Sequence, residues 1–239
     1  MSSSSTASNN PPIPRVRRAT LEDIEGWINA QLTGFELDYQ FRWRYPKRHE
    51  FPEDTRNATG AMIEGCLKVD NLTCLVAELP ETYEKGNETE IEEKPVIAGV
   101  AIWEVKMIEE LESEETPSSG RRDMDPARQA VFIDTLVTAE KKHFGREYGP
   151  IHLYLADLSV DPKYHRRRVG SALMQYGMDK AKEPHIPITL TCGDRARLFY
   201  LACGFRNVGF VECGVEGEDE RVGTWLMYWA PEGWVKSGC

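Results

Sequence analysis

Leu21, Ile24, Trp27, Ile28 and Leu32 recur at three- and four-residue intervals, the period of one helical face. Thr20 stands just ahead of the run, with Asp23 three residues on. That variant of the capping box predicts a helix start there, after a short strand at 14–18. Turn residues crowd 45–55, and a second helix is expected over 55–67. "CLVAEL" at 74–79 and "VIAGVAIWEVKM" at 96–107 read as strands, with the acidic segment between them as a hairpin loop. A helix over 126–143 and the strand "IHLYLADLSV" at 151–160 follow. An apolar helical pattern then runs to Lys182, "IPITLTC" at 186–192 reads as a strand, and "DRARLFYLACGF" as a helix stopped by Gly204. "NVGFVECG" and "GTWLMYW" close the chain as an antiparallel pair. The order β-α-α-β-β-α-β-α-β-α-β-β has no internal repeat and indicates a mixed α/β domain.

Composition narrows the picture. The chain has 239 residues, of which 41% are hydrophobic, enough for one sizeable core, so residues 14–235 are expected to form a single domain. The start, MSSSSTASNNPPIP, has no apolar signal core, and residues 1–13 read as a disordered tail. No apolar run approaches the roughly 20 residues of a membrane helix, so no membrane is expected and the location is expected to be cytoplasmic. A net charge of −10 makes nucleic acid a poor partner. The stretches 78–95 and 108–126 are expected as acidic or mobile loops. Six cysteines form no CxxC pair and have no histidine cluster. They read as reduced, mostly buried thiols, and no metal site is expected.

One stretch carries chemistry. "DPKYHRRRVGSALM" at 161–174 places three arginines, a bare Val-Gly-Ser-Ala patch and a helix start at a single point. Unpaired amides at a helix N-terminus, and the helix dipole, attract anions. Gly170, Ser171 and Ala172 leave that backbone uncovered, so a diphosphate can approach. Arg166, Arg167 and Arg168 add charge for further phosphates. The stretch resembles the acetyl-CoA signature of the GNAT superfamily of N-acetyltransferases, Q/R-x-x-G-x-G/A. Arg167 to Ala172 match it literally. In a longer register, D-P-x-Y-Q-R-R-G-I-G-S-A-L-L, His165 takes the Gln/Arg place, Arg168 replaces the first glycine and Gly170 is the second. "ARLFYLACGF" at 196–205 is similar to the family's A-x-x-F-Y-x-x-x-G-F, "RVRRATLEDIEGW" to its first strand and helix, and "GTWLMYWAP" to the closing strand of fungal members. The resemblance spans roughly residues 14–231.

The resemblance implies a GNAT fold: a mixed, mostly antiparallel sheet flanked by helices, with a splayed strand pair. It implies acetyl-CoA as co-substrate, without a metal. Leu158, Ser159 and Val160 would pair with the pantetheine arm, and an amide of Ser159 or Val160 would polarise the thioester. His165 to Ala172, Val169 included, would form the phosphate loop. Tyr200 would give a proton to the departing thiolate. Asp157, in phase with Leu153, Leu155 and Ser159, is the first candidate base and Glu104 the second; His152 and His49 are weaker, and a water chain is an alternative. Tyr39, Phe41, Trp43 and Tyr45 either wall the acceptor site or pack internally. The expected activity is N-acetylation of a small-molecule primary amine by a monomer or homodimer. Two other readings stand beside it: a non-catalytic CoA-binding module, which Arg168 in a glycine place favours, and a protein or peptide acetyltransferase.

Overall fold

The computed structural model describes residues 12–84, 91–107, 120–145 and 147–236. Most of the expected tail, and 85–90 and 108–119 of the expected loops, lie outside the described residues. Among the described residues seven strands form one sheet: β1 (Arg15–Arg18), β2 (Leu72–Glu84), β3 (Ile91–Met107), β4 (Ile151–Val160), β5 (Ile188–Cys192), β6 (Arg206–Cys213) and β7 (Val222–Trp229). Their order is β1-β2-β3-β4-β5-β7-β6. Every neighbouring pair is antiparallel except β4 and β5. The helices are α1 (Ile24–Phe35), α2 (Tyr39–Arg44), α3 (Pro52–Cys66), α4 (Pro126–Phe144), α5 (Val169–Lys182) and α6 (Asp194–Ala202).

The two faces of the sheet are covered differently. On one, Leu173, Met174 and Ala181 of α5 and Tyr200 of α6 pack with Leu75, Trp103, Leu155, Leu190 and Met227. On the other, Trp27 and Ala30 of α1 and Ile63 of α3 meet Val76, Val100 and Ile102. There α4 covers the far strands, through Phe144 on Leu226 and Phe132 near Val222. The polar start of α1 forms as its sequence indicates, with the Asp23 carboxylate accepting the Thr20 amide at 2.8 Å.

One expectation needs correction. The acidic stretch expected as a loop over 78–95 is largely strand: pairing runs on to Glu84↔Ile91. An antiparallel ladder satisfies each backbone group whatever charge the side chains carry, and Thr82 and Tyr83 favour extended backbone. The aromatic stretch after α1 contains a further helix, α2. Asp38 caps it, accepting the Gln40 amide at 2.6 Å and the Phe41 amide at 3.2 Å.

Candidate functional site

The site begins with one inserted residue in β4. Ile102 of β3 pairs with Asp157 and the next residue, Trp103, pairs with Leu155, so Ala156 is a bulge. A bulge reverses the inward–outward alternation beyond it. Leu153 and Leu155 therefore share the α5 face with Leu158 and Val160. Asp157 and Ser159 turn instead toward α1, where Asp157 accepts a hydrogen bond from Gln31 Nε2 and Ser159 Oγ donates to the Gln31 carbonyl at 3.2 Å. This corrects the expectation that Asp157 is in phase with Leu153 and Leu155.

Just past the bulge the sheet opens. β4 and β5 pair only from Leu153↔Ile188 to Leu155↔Leu190, so Leu158 to Val160 border a gap on that side. The Asp161 amide donates to the Ala98 carbonyl at 3.0 Å, which makes Gly99↔Val160 a wide, non-bonded pair. The Val160 and Leu158 amides thus face away from β3, toward the gap, and the Ser159 amide faces β3. The Val160 carbonyl confirms the direction by meeting His165 Nε2 at 3.2 Å. Of the two amides expected to polarise a thioester, that of Val160 faces the gap and that of Ser159 faces β3.

The gap is the floor of a cleft of about 680 Å³. One wall is the end of α1 and the start of α2, where a Cβ on Gly34 would lie 2.1 Å from Ser159 Oγ. The opposite wall is the loop before α5 together with α5's first turn, and one face of α6 from Asp194 to Tyr200 completes the enclosure. The loop turns on two arginines in the left-handed region, Arg166 and Arg168, both at φ 63°. That geometry brings the first amides of α5 to the cleft. The Ala172 amide already donates to the Arg168 carbonyl at 2.9 Å, which leaves those of Val169, Gly170 and Ser171 without an intrahelical partner. A Cβ on Gly170 would sit 3.3 Å from Phe199 Cζ, so glycine there lets α5 and α6 approach closely.

The cleft gathers Leu158, Ser159, Val160, His165, Arg166, Arg168, Val169, Gly170, Ser171 and Tyr200 of the expected set. Arg167 is not on the wall; its guanidinium lies 5.7 Å from the Tyr164 ring centre. Ala172 is off the wall as well. Tyr200 is buried against Phe199 and Phe205. Burial, and then the charges of neighbours including Cys192 and Asp157, push its hydroxyl well above the usual tyrosine range. Burial also pushes the Asp157 carboxyl up to about 7, against the Gln31 hydrogen bond, which favours the anion; Cys66 and Asp38 add to the rise. Glu104 pairs across from Tyr154, on the far side of the bulge from the gap. His152 is buried in the sheet beyond the cleft and His49 is an exposed partner of Glu36. Of the aromatics after α1, only Tyr39 reaches the cleft wall. Trp43 is in a core cluster with Phe132, and Phe41 packs between Phe35 and Tyr45.

Sequence reasoning missed several wall residues: Gly34, Phe35, Asp38, Asp194 and Phe199. Phe199 had a signal, since it precedes Tyr200 in the quoted motif. Two bonds fix the far end of the cleft: Gln40 Nε2 donates to the Gly223 carbonyl at 2.7 Å and Tyr39 Oη to Glu220 at 2.7 Å. They tie α2 to β7 and to the loop before it. Among the described residues no group of side chains is arranged to hold a metal ion.

An open mixed sheet whose fourth and fifth strands part beside a helix N-terminus is the architecture of the acetyltransferase fold that the sequence resembles. Residues 107–205 match the family model described as the acetyltransferase (GNAT) family. A protein of Stachybotrys chartarum named acetyltransferase is 21% identical over 219 residues, 88% of each chain. Among solved structures, an agmatine N-acetyltransferase is similar at a TM-score of 0.59 with 13% identity, covering 91% of this chain and 99% of that one. A Corynebacterium glutamicum structure titled histone acetyltransferase HPA2 and related acetyltransferase is similar at 0.54 with 22% identity, covering 90% and 95%. A polyamine N-acetyltransferase of Drosophila melanogaster is similar at 0.53 with 14% identity, covering 91% and 100%. The match to the GNAT family model is thus confined to residues 107–205, and the fold of the described residues is similar to that of solved acetyltransferases. No helix among the described residues is long and apolar enough to cross a membrane.

Proposed function

We propose that residues 14–235 form one acyltransferase domain that moves the acetyl group of acetyl-CoA to a primary amine of a small molecule. The observation that carries this reading is one cleft shared by three features: the arginine turn at the start of α5, the outward amides of β4, and Tyr200. A wall of free helix amides and two arginines suits a diphosphate. The outward Leu158 and Val160 amides suit an extended amide-bearing arm. When bound, acetyl-CoA supplies an acyl carbon already activated as a thioester.

The residues then divide the work. Asp157, off the cleft wall itself but next in the chain to Leu158, which lines it, takes a proton from the acceptor's ammonium group, and the freed lone pair forms the new C–N bond. The Val160 amide donates to the carbonyl oxygen as negative charge grows there. Tyr200 donates its proton to the sulfur as the C–S bond breaks. The second proton shed by the nitrogen restores the phenol. Glu104, beyond the bulge, is the weaker candidate base. Arg168 sits in a glycine's place but takes a glycine's backbone conformation, so the turn is preserved and the non-catalytic reading loses its main support.

A small acceptor is favoured by the far end of the cleft. The bonds from Gln40 to Gly223 and from Tyr39 to Glu220 brace the α2 side of the cleft against β7 and the loop before it, which suits a compact acceptor. The agmatine and polyamine N-acetyltransferases of the same fold are named for amines of this size. A CoA-release assay over a panel of small amines and short peptides, with calorimetry of acetyl-CoA binding, tests the reading. Release with small amines is expected. Tight acetyl-CoA binding without release from any acceptor would leave a binding module, and release with peptides alone would leave a protein acetyltransferase.

A further inference from the structure

Behind Asp157 lies a chain of buried hydrogen bonds that the acetyl transfer has not yet used. Gln31 is 2% exposed and Trp27 is fully buried, both on α1. Trp27 Nε1 donates to Gln31 Oε1 at 3.1 Å, and Gln31 Nε2 donates to Asp157 Oδ2. An indole N–H can only donate. It therefore fixes which end of the amide is oxygen, and leaves Gln31 only its NH₂ to offer Asp157. A donor in that position favours the carboxylate and disfavours the carboxylic acid.

The other groups around Asp157 act the opposite way. Asp38 before α2 and Cys66 at the end of α3 raise its proton affinity, and Cys74 of β2 and Tyr200 of α6 share its electrostatic environment. The Leu158 amide joins Gln31 in favouring the anion. We propose that Gln31, oriented by Trp27, is a positioning residue that keeps the Asp157 carboxylate ionised and aimed for proton abstraction. This rests on Asp157 being the base proposed above.

The test is the pH profile of kcat/KM for the full chain, with wild type, Gln31→Leu, Trp27→Phe and Asp157→Asn measured together. Gln31→Leu removes the donor at similar volume. Trp27→Phe keeps an aromatic side chain but removes the indole N–H, which frees the amide to turn its oxygen on Asp157, and it serves if the leucine variant fails to fold. Loss of the donor raises the carboxyl's proton affinity, so the acid limb is expected to move up by about one pH unit or more. Activity at pH 7 should fall about 5- to 10-fold and largely recover by pH 9, with KM for acetyl-CoA unchanged. A uniform loss at every pH with an unmoved limb would mean plain packing and overturn the proposal. An Asp157→Asn enzyme with wild-type rate and profile would remove the base itself, and Gln31's role with it. A crippled Asp157→Asn beside unmoved Gln31→Leu and Trp27→Phe limbs would overturn only the positioning role.

Discussion

Arg168 precedes α5 with φ 63° and ψ 12°, a conformation that costs an L-residue with a Cβ roughly 1–2 kcal/mol. Glycine loses that strain but also loses more entropy on folding. Arg168→Gly should therefore gain only about 1 kcal/mol, a rise in melting temperature of roughly 2–4 °C. A lower melting temperature would show that the arginine side chain contributes more than its backbone costs. Tyr200 poses a different question, because burial protects its proton. Tyr200→Phe keeps the ring and its contacts with Phe199 and Phe205, and should lower kcat about 10- to 10³-fold with little change in KM for acetyl-CoA. Since the hydroxyl is held well above 10, the wild-type enzyme should show no fall in kcat up to pH 10 that the phenylalanine variant lacks. A folded Tyr200→Phe with wild-type kcat, where chemistry limits the rate, would take the phenol out of the mechanism.

Helix α5 lies on the sheet because one residue lacks a side chain. A Cβ on Gly177 would fall 2.2 Å from Trp103 Cη2, and Trp103 is fully enclosed, its indole Nε1 without a partner among the described residues. Gly177→Ala should cost about 1–3 kcal/mol through overpacking, read as a lower denaturation midpoint. An unchanged midpoint would mean the indole has somewhere to go. Most elements were legible in the sequence, since three-four spacing marked α1 and apolar runs with glycine stops marked the last strands and α6. What escaped was what periodicity does not encode. The Ala156 bulge is one residue in an unbroken strand pattern, yet it decides which face Asp157 occupies. Helix α2 is six residues long, too short to show a period, and only Asp38 marks its start. The residues proposed to bind phosphate could be named from their motif. Gly34 and Asp38 could not, because they reach the cleft by the path of the chain after α1 and not by any local signature.

Across the whole molecule, two buried groups oppose each other in their response to pH. His152 is fully buried, its Nε2 meeting the Gly149 carbonyl at 2.8 Å and its Nδ1 facing Thr189 Oγ1 at 3.4 Å. Burial lowers it from 6.5 to about 4. The folded chain then binds fewer protons than the unfolded one between those values, and stability falls as pH drops from 6.5 to 4. Asp157 is raised from 3.8 to about 7. The folded chain binds more protons there, and stability falls as pH rises from 4 to 7. Asp23 and Asp54, held low by Arg17 and Arg122, lose their contributions only below about pH 4, outside this window. The two trends cancel in the wild type, so its stability should be nearly flat from pH 4.5 to 6.5. Single variants should unmask each trend: Asp157→Asn should gain stability as pH rises, and His152→Gln should lose it. Each unit of displacement is worth about 1.4 kcal/mol, and water reaching Asp157 trims its share, so slopes amounting to roughly 2 kcal/mol are expected. Asp157→Asn should also exceed the wild type in stability at pH 8 while turning over more slowly, the pairing expected of a carboxylate kept for chemistry at the expense of folding. Urea denaturation at four pH values from 4.5 to 8 decides the matter, and three parallel curves would show that neither group is held away from its ordinary protonation.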